Sequence, residues 1–77
     1  MNLTSNQRSV LLALTNEWQT PIQIAEQLPN ANWDTSSVNQ SLKDLMREGL
    51  VQANPIILGM YRLTSDGTAT KANLLGE

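Results

Sequence analysis

Apolar residues recur at helical spacing in three stretches of the first fifty positions. Val10, Leu11 and Leu14 form a stripe that predicts a helix over about residues 4–16. Thr4 and Gln7 stand three apart at its start, the spacing of a capping box. Trp18 is expected to close its far end. Ile22, Ile24, Ala25 and Leu28 predict a shorter helix over about 20–28. Its start is the sharpest helix signal in the chain: Thr20 at the N-cap, Pro21 at the first turn, Gln23 at the third position. It stops before Pro29, which disfavours a helical backbone at Leu28. Pro29-Asn30-Ala31-Asn32-Trp33 reads as a breaker-rich turn, with Trp33 expected to plug the space between the helices on either side. Val38, Leu42, Leu45 and, less centrally, Met46 predict the third helix, over about 35–48. Asp34 or Thr35 caps its start and Gly49 its end.

After Gly49 the period changes. Leu50-Val51-Gln52-Ala53 and Met60-Tyr61-Arg62-Leu63-Thr64 read as two strands of a hairpin over about 50–64. The loop between them, Asn54-Pro55-Ile56-Ile57-Leu58-Gly59, is apolar and uncharged at its tip. Ile56, Ile57 and Leu58 either fold back on the core or form an exposed contact patch. Residues 65–77 read as a weak final helix. Ser65 or Asp66 is the expected cap, with Ala69, Ala72 and, less centrally, Leu75 on one side; Gly67 makes it marginal in isolation. The expected fold is therefore mainly α with a small β-hairpin: three helices, a two-stranded wing and a weak C-terminal helix, in one domain over residues 1–77. A short helix, a turn and a longer helix in succession give a helix-turn-helix, and a hairpin directly after makes it winged.

The third helix carries the candidate chemistry. At 3.6 residues per turn, Ser36, Gln40, Lys43 and Arg47 lie opposite its apolar stripe, flanked by Asn39 and Asp44. Amides, hydroxyls and cations on one face are the groups that read base edges and hold phosphates. Such a face is equally what a solvated helix presents. In the DNA-binding reading, Gln40 and Asn39 read bases, with adenine the favoured target. Lys43 and Arg47 hold phosphates, and Arg62 on the second wing strand is a weaker candidate.

Composition narrows the alternatives. A chain of 77 residues is small for a deep cleft beside a core. It has no Cys and no His, so thiolate metal sites and the commonest general base and metal ligand are missing. The four glycines are scattered and form no phosphate-cradling loop. Asp44 and Glu48, one turn apart, read as surface or capping acids. An enzyme is not expected, nor a cofactor, a metal or a small-molecule ligand. Net charge is −2, unlike the basic balance of an autonomous DNA binder. No apolar run approaches a membrane span and the first residues do not resemble a secretion signal, so a cytoplasmic location without membrane contact is expected.

Glu48-Gly49-Leu50-Val51-Gln52, then Asn54-Pro55, then Gly59-Met60, resemble the small PapI/PefI-type regulators of fimbrial operons in enteric bacteria. Ile24-Ala25-Glu26 in the second helix also fits, so the likeness runs from the second helix to the wing. The hairpin part is the more specific; the helix-turn-helix part is generic. The resemblance implies a winged helix-turn-helix fold and a role in transcription and phase variation of fimbrial genes. It implies action beside the leucine-responsive regulatory protein (Lrp) at GATC-containing sites, on a double-stranded DNA complex that Lrp has already formed. By position, Ser36, Ser37, Gln40, Lys43 and Arg47 inherit the DNA-facing role. There is one departure. Relatives carry basic residues between the Pro and Gly of the wing, where this chain has Ile56-Ile57-Leu58. That leaves open an apolar contact of these three residues with a protein partner, or with the shallow sugar edge of the groove; the alternative function is a module that contacts another regulator through this tip without direct DNA contact.

Overall fold

A computed structural model of the chain describes residues 2–28 and 33–76. The expected turn residues Pro29 to Asn32 lie outside the described residues. In chain order the elements are α1 (Ser5–Ala13), α2 (Pro21–Glu26), α3 (Thr35–Arg47), β1 (Val51–Ala53), β2 (Tyr61–Leu63) and α4 (Ser65–Leu75).

Both expected capping boxes form. The Thr4 hydroxyl accepts the Gln7 N–H while the Gln7 side chain accepts the Thr4 N–H, and Thr20 and Gln23 do the same at α2. Each box satisfies two N–H groups that a helix start otherwise leaves free. The first helix ends sooner than its pattern implied. Leu14 is already extended (ψ 153°), so α1 stops at Ala13 and the chain from Thr15 onward serves another purpose. Gln19 pairs with Tyr61 through bonds of 2.9 and 2.8 Å, and the Leu63 N–H donates to the Thr15 carbonyl at 3.0 Å. The connector thus adds a third, very short rung to the hairpin and covers the edge of β2.

Asp34 is the N-cap of α3, its carboxylate accepting the Ser37 N–H at 2.8 Å. At the other end Gly49 takes φ +78°. The Gly49 N–H donates to the Met46 carbonyl and the Leu50 N–H to the Leu45 carbonyl, both at 3.0 Å. This is a Schellman closure, which needs the left-handed conformation that glycine adopts freely. It aims the chain directly into β1. The strands pair antiparallel, with Val51 opposite Leu63, Gln52 opposite Arg62 and Ala53 opposite Tyr61.

The core is built by the positions the sequence pattern singles out. Val10, Leu11, Leu14, Ile24, Leu28, Val38, Leu42, Leu45, Leu50, Val51 and Leu63 are buried together. Trp33 packs half-buried against them, in keeping with a plug. Ile22 stays exposed on the outer side of α2.

The final segment differs from expectation in two ways. Its cap is Thr64, ahead of Ser65 and Asp66, because the Thr64 hydroxyl reaches both ways. It accepts the Gly67 N–H at 3.0 Å and donates to the Gly49 carbonyl at 2.7 Å. Its packing side runs through Gly67, Lys71 and Leu74, while Ala69, Ala72 and Leu75 face solvent. The reason is Gly67. A Cβ there would overlap the Leu50 carbonyl oxygen, so the absent side chain is what lets α4 lie against the start of β1. Lys71 then donates to the Leu14 carbonyl at 2.7 Å, closing the end of α1 from a neighbouring helix. Three helices, a hairpin following the third and a final helix against the first make a mainly α winged helix-turn-helix.

Candidate nucleic-acid interface

The candidate site is the outer face of α3. Packing decides which face that is: Val38, Ser41, Leu42 and Leu45 are buried against α1 and α2, so the opposite side is left to solvent. Ser36, Gln40, Lys43 and Arg47 lie exposed there, four positions on one strip of helix. Ser37 and Asn39 are half-buried on opposite flanks. Ser37 is tied to the cap. Its N–H, and to a lesser degree its hydroxyl, bond the Asp34 carboxylate and hold that carboxyl below its ordinary range.

Asp44 is more than the solvated or capping acid that spacing implied. One carboxylate oxygen accepts the Gln40 side-chain amide at 3.2 Å and stands 3.6 Å from the Arg47 guanidinium. The other accepts the Gln7 amide of α1 at 3.1 Å. Its side chain is 25 % exposed against 75 % for Arg47. The acid therefore links the two helices and touches two of the expected DNA-facing groups. The helical period of α3 places Gln40 and Asp44 together, but Gln7, thirty-seven residues earlier, carried no sequence signal beyond its capping role.

The wing supplies a different surface. The Asn54 carboxamide oxygen accepts the Ile56 and Ile57 N–H groups at 2.8 and 2.9 Å, and Gly59 takes φ +84°. The tip is thus a closed turn with an internal hydrogen-bond anchor. Of the two alternatives for its apolar residues, the exposed one holds: Ile56 is 88 %, Ile57 56 % and Leu58 90 % exposed. Arg62 is half-buried rather than free. Its guanidinium carbon sits 4.3 Å from the centroid of the Trp18 ring, a cation–π stack on the solvent side of the hairpin. Trp18 is thereby covered by Arg62 beyond the end of α1.

Among the described residues no three Asp, Glu, Cys or His side chains gather as a metal site would require. No helix described is long and apolar enough to cross a membrane.

The geometry defines a winged helix-turn-helix, and comparison with solved structures agrees. Lactococcus lactis ZitR, a zinc-responsive MarR family member, superposes with a TM-score of 0.76 at 26% identity, over 99% of this chain and 54% of that one. H. salinarum RosR superposes with a TM-score of 0.82 at 24% identity, over 97% and 73%. Wild-type ZitR in complex with DNA gives a TM-score of 0.76 at 24% identity, over 99% and 53%. The chain thus spans about half the length of ZitR. At these identities the likeness is one of fold. No protein-family model matches the sequence, and none of the curated proteins compared with it matches either.

Proposed function

We propose that this chain is a DNA-binding transcriptional regulator, working as one winged helix-turn-helix domain with α3 as its recognition helix. The observation that carries the reading is the exposed strip Ser36, Gln40, Lys43 and Arg47. It stands on the helix that a helix-turn-helix lays in the major groove. ZitR, which shares the fold, is a protein solved on DNA. In this reading Gln40, with Asn39 beside it, reads base edges, while Lys43 and Arg47 hold phosphates. Ser36 and Ser37 sit at the helix start, where hydroxyls and N–H groups meet the backbone.

The target we propose is a fimbrial operon, bound together with Lrp at GATC-containing sites. The support for this finer reading is the sequence resemblance from Glu48 to Met60. Net charge −2 fits a regulator of low intrinsic affinity that joins DNA another protein has already engaged, where the pre-bound partner raises its effective concentration.

A second reading rests on its own observation. The exposed, uncharged tip Ile56-Ile57-Leu58 suits a contact with a protein partner, the DNA-bound regulator itself, without direct DNA contact by this chain.

One titration separates them. Isotope-labelled protein is mixed with duplex DNA, with and without Lrp, and amide shifts are followed by residue. Changes along 36–47 that appear with DNA alone support the first reading. Changes confined to 55–60 that require Lrp support the second. Lys43→Ala is expected to weaken binding to all duplexes alike, and Gln40→Ala to relax sequence choice. If both variants bind as the wild type does, α3 is not the recognition helix.

A further inference from the structure

We propose that Asp44 is a positioning residue that fixes the side-chain amide of Gln40 so that it selects adenine over guanine. This rests on α3 being the DNA-reading helix.

The inference follows from a chain of donors and acceptors. The Gln7 carbonyl oxygen is occupied by the Thr4 N–H at 3.0 Å, so its NH2 group is the end that must point away, toward α3. That NH2 donates to one oxygen of Asp44 at 3.1 Å. A carboxylate has acceptors only, so its second oxygen can take only a donor from Gln40, and it takes the NH2 at 3.2 Å. Each step dictates the next. Gln40 is left with its carbonyl oxygen and one amide hydrogen for a ligand.

That pair matches one base edge in the major groove. Adenine offers an acceptor at N7 and a donor at N6, which one amide hydrogen and one carbonyl oxygen meet together. Guanine offers acceptors at both N7 and O6. An unrestrained glutamine can turn its NH2 to guanine. Once one of its hydrogens is held by Asp44, the amide has a single donor left and its carbonyl oxygen faces O6. The selectivity comes from the acid, which never touches the base. It also gives a reason for a negative charge on a helix that faces phosphates.

The test uses duplexes selected from a random library by the full-length wild type, and the same duplexes with each A·T pair replaced in turn by G·C. Dissociation constants are measured for wild type, Asp44→Ala, Gln40→Ala and the double variant, with circular dichroism to confirm the fold. Expected for the wild type is one position with an adenine preference of roughly tenfold or more. In Asp44→Ala the ratio there is expected to fall below about threefold, while affinity for all duplexes rises as the charge is lost. In the double variant the ratio is expected to equal that of Gln40→Ala, because Asp44 acts through Gln40. A wild-type ratio retained in Asp44→Ala overturns the proposal. So does a loss in the double variant beyond that of Gln40→Ala. A wild type that binds with no adenine preference at any position overturns it while leaving α3 on DNA. A wild type that binds no duplex with or without Lrp, or Lys43→Ala and Gln40→Ala variants that both bind as well as the wild type, overturns the DNA reading beneath it.

Discussion

Single side chains in this domain are used in more than one capacity, and the uses can be separated by experiment. Asp34 caps α3, and the Ser37 bonds depress its pKa. A depressed carboxylate stabilises the folded state at pH above the pKa it has when unfolded. That contribution is lost as pH falls through the folded value. Stability at the start of α3 is therefore expected to be flat from neutrality down to about pH 5 and to fall below about pH 4. Asp34→Asn keeps an acceptor for the Ser37 N–H and should remove that acid-dependent loss. Amide exchange along residues 35–38 as a function of pH is the measurement, and an unchanged acid profile in the variant would refute the assignment. Gly67 makes the opposite kind of case. A glycine inside a helix normally costs up to about 1 kcal/mol relative to alanine, so Gly67→Ala looks stabilising on propensity alone. Here the added Cβ meets the Leu50 carbonyl, a backbone atom that cannot swing aside. We expect Gly67→Ala to lower stability by about 1–3 kcal/mol, read as a fall in the urea midpoint. A gain would mean that α4 does not lie against β1.

At the scale of elements, what sequence could show was set by distance along the chain. The starts of α1 and α2 were legible because a capping box needs four consecutive residues, and the end of α3 because Gly49 carries its own signal. The C-terminus of α1 was not. Leu14 continues the apolar stripe, so periodicity alone ran the helix on. It ends where the chain is drawn off to pair with Tyr61, some forty residues later, a contact that no local pattern encodes. The face of α4 was misplaced for the same reason. Alanine spacing indicated one side, but a glycine that admits the Leu50 carbonyl and a lysine bound to the Leu14 carbonyl select the other. Lys71 gives this a test. Its ammonium is the group from α4 that satisfies a carbonyl at the end of α1. Lys71→Met keeps the stem and removes the donor. The expected result is a loss of about 1 kcal/mol in stability, together with faster amide exchange in α4. Unchanged exchange there would show that Leu74 and Gly67 hold the helix without it.

At the scale of the whole molecule, the proposed role raises the question of how an acidic domain would hold a polyanion. Of its five cations, Lys43 and Arg47 stand exposed on α3, Arg8 is exposed on α1 away from that strip, Lys71 is committed to α1, and Arg62 is stacked on Trp18. The candidate base readers were legible in sequence because helical period alone exposes them. The state of Arg62 was not, since Trp18 and Arg62 meet only when the connector joins the hairpin. Its stacking changes the expected salt dependence. Each phosphate neutralised contributes about −0.9 to the slope of log affinity against log salt. Three contacts, counting Arg62, imply a slope of about −3; Lys43 and Arg47 alone imply about −2. A guanidinium over an indole gives up that attraction if it leaves for a phosphate, so the smaller value is the one expected. Affinity for one selected duplex, measured from low to physiological salt, should then show a slope near −2. Lys43→Ala should reduce its magnitude by about one and Arg62→Ala should leave it unchanged. A reduction of about one in Arg62→Ala would show that the wing also holds a phosphate, with Trp18 serving as the platform from which Arg62 does so.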